Sequence, residues 1–407
     1  MQRVELDVII VGGGAAGYFA AVNIAEMNPE LRIAILERSK NVLSKVKISG
    51  GGRCNVTHAE YDPHELIRNY PRGEKELLGP FHKFMTGDVI AWFEERGVAL
   101  KTEPDGRIFP VSDNSQTILD CLTQKATELG VQQWTQQGVN DISKMANGWT
   151  VVTKSHQFVA RYVLICTGSD NRMWNILAKL GHTIVPAVPS LFTFNIQDKR
   201  IVDLPGVAHE ATVSVLHTSL VSTGPLLITH WGMSGPAILK LSAWGARILA
   251  EQDYRFEIRV NWTNGLSSQT VVDQLKEVKV ASGKFNVFGH VQFGLPRRLW
   301  GNLVVAAGIE PGTKWGDLRR IQIQNLAGQL TEGVFKVNGK STFKEEFVTA
   351  GGVDLREISF KSFQSKLHPN LYLAGEVLDI DAITGGFNFQ SAWTGAFLAA
   401  QSIAESG

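Results

Sequence analysis

The chain has 407 residues, of which 44% are hydrophobic and 19% are charged. This length suggests two or three domains, and the composition is that of a globular protein with a substantial core. The formal net charge is +1 and no basic run stands out, so the sequence argues against nucleic acid as the main partner.

The amino-terminal segment has the pattern of a strand, a glycine turn and a helix. A short apolar run over residues 6–11 leads directly into Gly12-x-Gly14-x-x-Gly17, and a helical pattern follows over residues 15–28. The first glycine allows a tight turn, the second lets the backbone approach a pyrophosphate, and the third lets the helix pack close to the strand. The phosphates then meet the free N–H groups at the positive end of the helix.

A second predicted strand, residues 32–37, ends in Glu37, twenty residues after the last glycine of the turn. An acid at this position can accept a hydrogen bond from a ribose hydroxyl. The alternative is a glycine-rich turn without a ligand. The order of strand, turn, helix, strand and acid favours dinucleotide binding.

A long loop is predicted over residues 38–58. Its three adjacent glycines, residues 50–52, expose backbone N–H groups that can bind an anion or lie against a flat ring, and Arg53 adds a positive charge. A flexible surface loop is the alternative, although loops of this length inside a compact domain are usually functional or disordered. Cys54 beside Arg53 could have a lowered pKa, but a small packed residue near the cofactor is the favoured interpretation.

The rest of the first domain is predicted from caps, turns and apolar runs. The elements are a helix over 86–96 capped by Thr86, a helix over 115–130, a hairpin at Asn147-Gly148 and a strand over 161–166. This strand runs straight into Thr167 and Gly168. A second turn therefore lies at the carboxyl end of a strand, where ligands bind in open α/β sheets.

Residues 191–345 differ in pattern and are predicted to form an inserted module. Alternating strands are expected over 191–221 and 254–262, and helices over 237–250, 271–280, 296–307 and 315–330. The predicted domains are residues 1–190 with 346–407, a β-rich domain of residues 191–265 with 331–345, and a helical domain of residues 266–330. Long insertions of this kind usually shape a substrate pocket or lid.

His230 is the strongest single candidate for proton chemistry and is predicted to be catalytic. It lies beside Trp231 in a Gly- and Pro-rich turn before a helix, and the unperturbed pKa of histidine is ~6.5. The alternative is a structural histidine satisfied by backbone groups, since a lone histidine has weak specificity.

After the module the chain returns to the first domain. Strands are predicted over 347–352 and 371–376, the second of them ending in Glu376, and Asp379 follows. At the end of a strand these two carboxylates can bind ribityl or ribose hydroxyls. The alternative is a pair of loop carboxylates in water.

The last predicted helix, residues 391–404, has its amino end at Gly385-Gly386-Phe387-Asn388. A helix amino terminus there can stabilise the negative charge of a reduced flavin. No second strand–GxGxxG–helix unit is found over residues 140–350. A nicotinamide donor would therefore bind transiently to the inserted module, or no such donor is needed.

The three cysteines, Cys54, Cys121 and Cys166, form no closely spaced pair, so neither a metal site nor a flavin disulfide-reductase dithiol is expected. The absence of a disulfide framework fits a reducing compartment. The first strand begins within six residues of Met1, which leaves no room for a signal peptide, and no apolar run reaches the ~18 residues needed to span a bilayer. A cytoplasmic protein without a membrane partner is expected.

Four parts of the chain carry its most specific motifs. They are Gly12-Gly13-Gly14-Ala15-Ala16-Gly17, Ser49-Gly50-Gly51-Gly52-Arg53-Cys54-Asn55, Thr229-His230-Trp231-Gly232-Met233-Ser234-Gly235-Pro236, and Ala374-Gly375-Glu376-Val377-Leu378-Asp379 with Gly385-Gly386-Phe387-Asn388. Together they resemble the BaiN/YhiN-like flavoprotein family, whose members include aminoacetone oxidase. The chain departs mildly from the family pattern at Cys166-Thr167-Gly168-Ser169, His58 and Ala382, where Ala-Thr-Gly-Gly, Asn and Gly are more frequent.

The resemblance runs from the first strand to the last helix. It implies an oxidoreductase with FAD as cofactor and an α/β fold of the two-dinucleotide-binding type, in which a Rossmann-like FAD-binding domain carries an inserted β-barrel-like domain and a small helical domain. From the motifs and this resemblance, the residues predicted to contact FAD are Gly12, Gly14, Ala15, Ala16, Gly17, Glu37, Arg38, Gly51, Gly52, Arg53, Cys54, Asn55, Val139, Thr167, Gly168, Gly375, Glu376, Asp379, Gly385, Gly386, Asn388 and Phe389.

The leading hypothesis is hydride transfer between flavin N5 and a small or apolar organic substrate. With NAD(P)H as donor the enzyme would be a reductase, acting for instance on an activated double bond. With oxygen as acceptor it would be an oxidase of an amine such as aminoacetone. A flavin-bound RNA-modifying protein and a redox-sensing protein without turnover are the other classes left open. A small-molecule partner is expected, whereas a metal, nucleic acid or membrane partner is not, and the sequence leaves the oligomeric state open.

Overall fold

The computed structural model describes residues 2–341 and 348–407. The chain forms two compact units: Met1–Val188 and Val348–Gly407 make up the first, and Pro189–Phe347 make up the second. The division of the inserted module into β-rich and helical domains stays a prediction. The predicted boundary between residues 345 and 346, and the start of the strand predicted over 347–352, lie outside the described residues. None of the described helices has the length and apolarity needed to cross a bilayer.

The first unit is built from both ends of the chain. The strands of its amino-terminal part are β1 (Gln2–Glu5), β2 (Val8–Val11), β3 (Ile33–Leu36), β4 (Thr57–His58), β5 (Leu100–Thr102), β6 (Arg107–Pro110), β7 (Gln132–Trp134), β8 (Asp141–Met145), β9 (Gly148–Val152), β10 (His156–Ala160), β11 (Tyr162–Ile165) and β12 (Ile184–Pro189). The helices of this part are α1 (Ala15–Met27), α2 (Ser44–Gly52), α3 (Pro63–Ile67), α4 (Glu74–Phe81), α5 (Thr86–Glu94), α6 (Gln116–Glu128) and α7 (Asn171–Lys179).

The second unit follows, and the chain then completes the first. The elements of the second unit are β13 (Thr193–Asn195), β14 (Ala208–Val215), β15 (Val221–Thr229), β16 (Gly232–Ser234), α8 (Pro236–Trp244), α9 (Ala246–Glu251), β17 (Arg255–Asn261), α10 (Ser268–Ala281), α11 (Arg297–Ala306), the 3-10 turn Trp315–Asp317, α12 (Arg320–Thr331), β18 (Gly333–Asn338) and β19 (Lys340–Ser341). The returning elements of the first unit are β20 (Thr349–Val353), the 3-10 turn Leu355–Glu357, β21 (Ile358–Ser359), β22 (Gln364–Ser365), β23 (Leu371–Leu373) and α13 (Phe387–Ser406).

The centre of the first unit is a seven-stranded sheet in the order β21-β22-β23-β11-β2-β3-β7. The strands from β23 to β7 are parallel, with Val8 opposite Tyr162 on one side and Ile33 on the other. Every residue of β2, β3 and β11 is buried, which explains why their sequences are continuous apolar runs without alternation. The carboxyl ends of these strands lie along one edge of the sheet, and the predicted α/β, Rossmann-like fold is confirmed.

Several element boundaries differ from the sequence prediction. The predicted loop over 38–58 contains α2 and β4, because the burial of Val46 stabilises a short helix that local sequence does not reveal. Thr86 does not cap α5: the N-cap is Met85, whose N–H donates to the Asp88 carboxylate at 2.8 Å, and Thr86 is already helical. The hairpin at Asn147-Gly148 is confirmed by pairing of Met145 with Gly148.

The second unit combines a seven-stranded antiparallel sheet with helices. The strand order is β18-β17-β14-β15-β16-β13-β19. The helix predicted over 237–250 is divided at Gly245 into α8 and α9, and the helix predicted over 315–330 is a 3-10 turn followed by α12. Helices α10, α11 and α12 pack together, and the core of the unit contains the fully buried side chains of Trp262, Trp300 and Trp315.

A buried histidine connects the end of α7 with the antiparallel edge of the first unit's sheet. His182 Nδ1 lies 2.7 Å from Glu357 Oε2, and its Nε2 lies 3.1 Å from the Ser365 hydroxyl. Burial lowers the pKa of His182 below its ordinary value, although hydrogen bonding to the Glu357 carboxylate opposes this effect. His182 is therefore neutral in the folded protein near neutral pH.

We expect His182 to make the protein less stable as the pH falls from about 7 to about 5. As the pH falls, the unfolded residue, with a pKa of ~6.5, takes up a proton more readily than the folded residue does. The contribution of His182 to the unfolding free energy is therefore complete above the unfolded pKa and is lost as the pH falls through the folded pKa. In His182→Gln the pH slope of the unfolding free energy should become shallower by up to ~1.4 kcal/mol per pH unit, as measured by urea unfolding. The exposed His64 of α3 gives the control variant His64→Gln. An equal slope in wild type and His182→Gln would contradict a neutral buried imidazole.

Candidate functional site

The glycine turn after β2 is constrained on one side and open on the other. Gly12 has φ of +111°, and a Cβ there would lie 2.4 Å from the carbonyl oxygen of Cys166. A Cβ on Gly17 would lie 2.0 Å from the carbonyl oxygen of Gly12, so α1 packs against β2 only with glycine at this position. The backbone of Gly14 is extended (φ −93°, ψ −168°), and the nearest atom to a Cβ there would be 4.0 Å away. The open side of the turn therefore lies beside Gly14, at the N-terminus of α1.

The end of β23 lies against the first turn of α1. Gly375 has φ of +78°, and its Cβ position is 3.5 Å from the Cβ of Ala16 and 3.8 Å from that of Ala392 in α13. Ala15 is half-buried and Ala16 is buried. The first turn of α1, the end of β23 and helix α13 therefore meet at the carboxyl edge of the sheet.

Glu37 is held at the same edge by two backbone N–H groups. Its Oε2 accepts a hydrogen bond from the N–H of Gly13 at 2.8 Å, and its Oε1 accepts one from the N–H of Ser39 at 2.7 Å. The residue is half-buried, and each carboxylate oxygen keeps a lone pair for a further donor. The carboxylate is thus oriented in advance beside the glycine turn.

Arg38 and Val139 lie at the corner next to Glu37. The exposed Arg38 guanidinium pairs with Asp170, the N-cap of α7, at 3.0 Å. The N–H of Gln137 donates to the carbonyl of Glu37 at 2.8 Å, and the half-buried Val139 follows two residues later. The structure therefore brings three predicted cofactor contacts, Glu37, Arg38 and Val139, to one corner.

The turn after β11 lies beside the acid that follows β23. Thr167 is half-buried, Gly168 has φ of +62°, and a Cβ on Gly168 would lie 3.6 Å from Oε2 of Glu376. Glu376 forms an ion pair with Lys45 of α2. The sequence analysis did not identify Lys45, because its partner is more than three hundred residues away along the chain.

The triple glycine opens one side of α2. Ser49 has ψ of 149°, and Gly50, Gly51 and Gly52 have φ values of +58°, +69° and +85°. A Cβ on Gly50 would lie 2.8 Å from the ring of Phe109, whereas a Cβ on Gly51 or Gly52 would have no heavy atom within 4 Å. The backbone at Gly51 and Gly52 is therefore accessible to a flat or anionic group.

Arg53 does not offer a free positive charge. Its Nη1 lies 2.5 Å from the Glu103 carboxylate and 3.5 Å from the Asp113 carboxylate, and the guanidinium lies 4.0 Å above the Phe109 ring centroid. Two acids and an aromatic face therefore hold the side chain. The predicted contact of Arg53 with FAD stays a prediction, and its backbone is the part that continues the open glycine segment.

Cys54 is a packed residue and not a reactive thiol. The residue is fully buried, and burial raises its pKa to about 12. The alternative of a thiol with a lowered pKa is therefore wrong. The backbone of Cys54 is left-handed, with φ of +62°, and this turns the chain from the glycines toward Asn55.

The N-terminus of α13 faces Asn55. Gly386, the N-cap, has φ of +95°, and a Cβ there would lie 2.6 Å from the carbonyl oxygen of Thr57 and 2.9 Å from Oδ1 of Asn55. The Oδ1 of Asn55 is buried and has no hydrogen-bond partner in the part of the chain that the structure describes. Gly385 has φ of +133°. This glycine pair starts α13 at Phe387, four residues before the predicted start at residue 391.

The remaining predicted contacts lie in or beside the same helix start. Asn388 accepts a hydrogen bond from the N–H of Ala382 at 2.9 Å and donates to its carbonyl at 3.1 Å, so its amide closes the loop before α13. Phe389 stacks on Trp393 with ring centroids 5.6 Å apart. Asp379 is buried, and its N–H donates to the carbonyl of Val353 at 3.1 Å.

Two residues that the sequence analysis did not assign to the site position this helix start. His58 Nδ1 lies 3.0 Å from the carbonyl oxygen of Gly385, and its ring stacks on Phe387 at 4.5 Å. The Tyr70 hydroxyl donates to the carbonyl of Phe387 at 2.6 Å. The sequence offered one sign that His58 is part of the site, its departure from the family pattern. It offered no such sign for Tyr70, which is a lone tyrosine in a loop.

These residues form a strip along the carboxyl edge of one sheet, from Glu37 to Gly386. Open backbone at Gly14, Gly51 and Gly52, a fixed carboxylate and an unpartnered buried amide oxygen are features that suit an extended dinucleotide. His230 belongs to the second unit, where its exposed side chain lies in the turn between β15 and β16. In residues 2–341 and 348–407, no group of three His, Cys, Asp or Glu side chains is arranged to hold a metal ion.

The chain is similar to known proteins along nearly its whole length. The model of the HI0933-like protein Rossmann domain matches residues 6–402. A ribosomal RNA dihydrouridine synthase from Haemophilus influenzae is 27% identical over 410 residues, covering 97% of this chain and 98% of the relative. A 3-dehydro-bile acid delta(4,6)-reductase from Clostridium scindens is 27% identical over 414 residues, with the same coverage of 97% and 98%. The solved structure of a 3-ketosteroid-delta4-(5alpha)-dehydrogenase from Rhodococcus jostii RHA1 gives a TM-score of 0.53 at 14% identity, covering 99% of this chain and 98% of that chain, which shows the fold alone.

Proposed function

The chain belongs to the HI0933-like Rossmann FAD-binding family and is an FAD-dependent oxidoreductase, and from this premise we propose that it reduces a carbon–carbon double bond conjugated to a carbonyl group. The observation that carries the cofactor assignment is the strip of open glycine backbone between Glu37 and Gly386. The substrate chemistry rests on a feature that the names of two relatives share.

The strip divides naturally into three parts for FAD. Glu37, with Arg38 and Val139 beside it, would hold the adenosine end. The residues 12–17, with Thr167 and Gly168, would hold the pyrophosphate, because free N–H groups at a helix N-terminus bind anions. The residues of the third part would hold the ribityl chain and the flavin ring: Gly51, Gly52, Arg53, Cys54, Asn55, Gly375, Glu376, Asp379, Gly385, Gly386, Asn388 and Phe389.

The amino end of α13 is the electrostatic feature of the flavin part. This helix has 20 residues, and its N-terminus carries a partial positive charge of roughly half an elementary charge. Placed near the pyrimidine edge, it would favour the anionic reduced ring. The unpartnered Oδ1 of Asn55 would accept a hydrogen bond from an N–H of the same ring.

The two relatives point to one type of substrate bond. A dihydrouridine synthase adds two hydrogens to the uracil C5–C6 double bond, which is conjugated to a carbonyl group, and a 3-dehydro-delta(4,6)-reductase acts on double bonds conjugated to a ketone. We therefore favour a small or apolar substrate with such a bond over an amine. FAD held along the strip would supply a hydride at N5, and a nicotinamide is the donor that we propose for it. The carbon beta to the carbonyl takes the hydride, and the carbon next to the carbonyl takes a proton.

Two half-reactions test this proposal. Without oxygen, NADH or NADPH should bleach the flavin band near ~450 nm. A cyclic enone should then restore the band, whereas the saturated ketone of the same ring, as the matched control, should not. Flavin that stays oxidised with both nicotinamides but is reduced by an amine would overturn the proposal in favour of an aminoacetone-type oxidase.

His230 is our proposed donor of the proton. We expect His230→Gln to slow the enone half-reaction by about a hundredfold or more, within the range measured for general acids, while leaving flavin content unchanged. The control is His217→Asn, at an exposed histidine of the same unit. His217 has a left-handed backbone conformation, which asparagine also adopts readily. Unchanged enone reduction in His230→Gln would show that His230 is only a surface residue.

A cytoplasmic location stays a prediction.

A further inference from the structure

Two histidines meet at the open end of a helix hairpin in the first unit. His64 belongs to the first turn of α3, and His82 directly follows the last residue of α4, eighteen residues later in the chain. Their ring centroids are 5.8 Å apart, and the ring planes make an angle of 76°. The start of α3 and the end of α4 therefore lie side by side, and each contributes one imidazole to the contact. We call His64 and His82 the histidine pair.

The ring nitrogens of the histidine pair have no other partner within the part of the chain that the structure describes. Both residues are exposed. They differ in this from His58, His182 and His368, whose ring nitrogens each lie within hydrogen-bond distance of a protein group. A neutral imidazole has one nitrogen lone pair, so the pair offers two of them for a ligand from outside the chain.

The separation of the two rings suits a shared metal ion. Two imidazoles on one tetrahedral Zn²⁺ would have their centroids about 5 Å apart, because Zn–N distances are ~2.0–2.1 Å. The observed separation of 5.8 Å is close to this value. Because both side chains are exposed, they can turn about their own single bonds until one nitrogen of each points at the same ion, and the helices need not move.

The charges around the histidine pair favour a cation. The N–H of His64 donates to the Asp62 carboxylate at 2.8 Å, and the N–H of Asp62 donates to the Glu60 carboxylate at 3.1 Å. Neither of these carboxylates forms an ion pair with a described residue. The exposed Lys83, which follows His82, is an opposing charge. Two carboxylates thus stand against one ammonium group beside the pair.

The hairpin that carries the pair also supports the start of α13. The loop between α3 and α4 contains Asn69, whose carbonyl accepts a hydrogen bond from the N–H of Ile383 at 3.0 Å. The same loop contains Tyr70, whose hydroxyl donates to the carbonyl of Phe387. A link between the two ends of the hairpin would close this loop and so hold it in place.

We propose that the histidine pair binds a divalent transition-metal ion, zinc or copper, and thereby ties α3 to α4. Imidazole nitrogen is a preferred ligand of both ions. The sequence expectation against a metal rested on cysteine spacing, which does not apply to two histidines. Since no group of three His, Cys, Asp or Glu side chains is arranged to hold a metal among the described residues, water fills the remaining coordination positions. The inference does not depend on the proposed redox function, because neither histidine belongs to the strip between Glu37 and Gly386.

Isothermal titration of the FAD-loaded full chain with ZnCl₂, after treatment with a chelator, tests the inference. His64→Asn and His82→Asn should each weaken the tightest zinc site by about a hundredfold, because two linked ligands bind far more tightly than either alone. The double variant should bind no more weakly than the single variants, since either substitution already breaks the chelate. Unchanged zinc affinity in either single variant would overturn the proposal. Equal competition by Mg²⁺, which prefers oxygen ligands, would also overturn it, because the site would then be made of carboxylates.

A control variant and a second measurement separate the pair from other surface imidazoles. His217→Asn removes an exposed histidine of the second unit and should leave the zinc affinity unchanged. Zinc should raise the thermal unfolding midpoint of the wild type and of His217→Asn, because a ligand of the folded state stabilises it, but not that of His64→Asn or His82→Asn. A loss of affinity in His217→Asn as large as in His64→Asn would show unspecific binding and overturn the assignment. An equal rise of the midpoint in all four proteins would overturn it as well.

Discussion

A Gly14→Trp protein is expected to fold and to purify without flavin. Gly14 is the one glycine of the turn whose substitution the fold accepts, because its backbone is extended and the nearest atom to a Cβ would be 4.0 Å away. An indole there would fill the open side of the turn, where the pyrophosphate is proposed to bind. The absorbance ratio of flavin to protein measures the result, and circular dichroism should match that of the wild type.

The control places the same side chain at another helix start. Gly87 lies in the first turn of α5, is exposed, and has open space around its Cβ position. Gly87→Trp should therefore keep its flavin. A Gly14→Trp protein with full flavin content would refute the cofactor site, whereas loss of flavin in both variants would indicate a general effect of an added tryptophan.

Asp381→Asn is expected to cost about 3–5 kcal/mol of unfolding free energy, the usual result of removing one partner of a buried ion pair. The Asp381 side chain is fully buried, the Arg72 side chain is 10% exposed, and two guanidinium nitrogens of Arg72 donate to its two carboxylate oxygens. The variant removes the carboxylate charge that pairs with the largely buried Arg72 guanidinium. Because Asp381 lies in the segment between Asp379 and Gly385, we also expect flavin to be retained less well.

Two further proteins show whether charge burial is the cause. Arg72→Met combined with Asp381→Leu removes both charges and should recover much of the lost stability. Glu65→Gln breaks the ion pair of Glu65 with Arg68, in which both side chains are exposed. This variant should have little effect on the unfolding free energy. Urea unfolding followed by circular dichroism measures all three. If Asp381→Asn were as mild as Glu65→Gln, the buried pair would not stabilise this segment.

The sequence predicts well those parts of the molecule in which a local pattern has one physical solution. Only glycine fits at Gly12 and Gly17, so their spacing after an apolar run determines a strand, a turn and a helix. The glycine pair at residues 385–386 likewise marks the start of the last helix to within four residues. Parallel strands that are buried on both faces of the sheet have continuous apolar sequences, and these runs predict the fold class.

The sequence could not predict features that depend on distant partners. Arg53 has the local signature of an anion-binding cation, yet Glu103 and Asp113, fifty and sixty residues further on, neutralise it. Helix α2 was missed because five ordinary helical residues before a triple glycine give no periodicity, and the burial of Val46 provides its stability. The ion pair of Lys45 with Glu376 could not be predicted, because the fold alone brings these distant residues together.

The discontinuity of the first unit has a consequence for how the protein is made. The ribosome synthesises the glycine turn first, but Gly375, Glu376 and the start of α13 emerge only after the entire second unit. The sheet of the growing chain is therefore incomplete until residue 373 has been synthesised, because β11 cannot pair with β23 before then. With FAD at the proposed site, cofactor loading would follow synthesis of residues 371–406, and the intervening unit, whose elements are contiguous, can fold beforehand. A cell short of FAD would then accumulate full-length apoprotein and not stalled fragments.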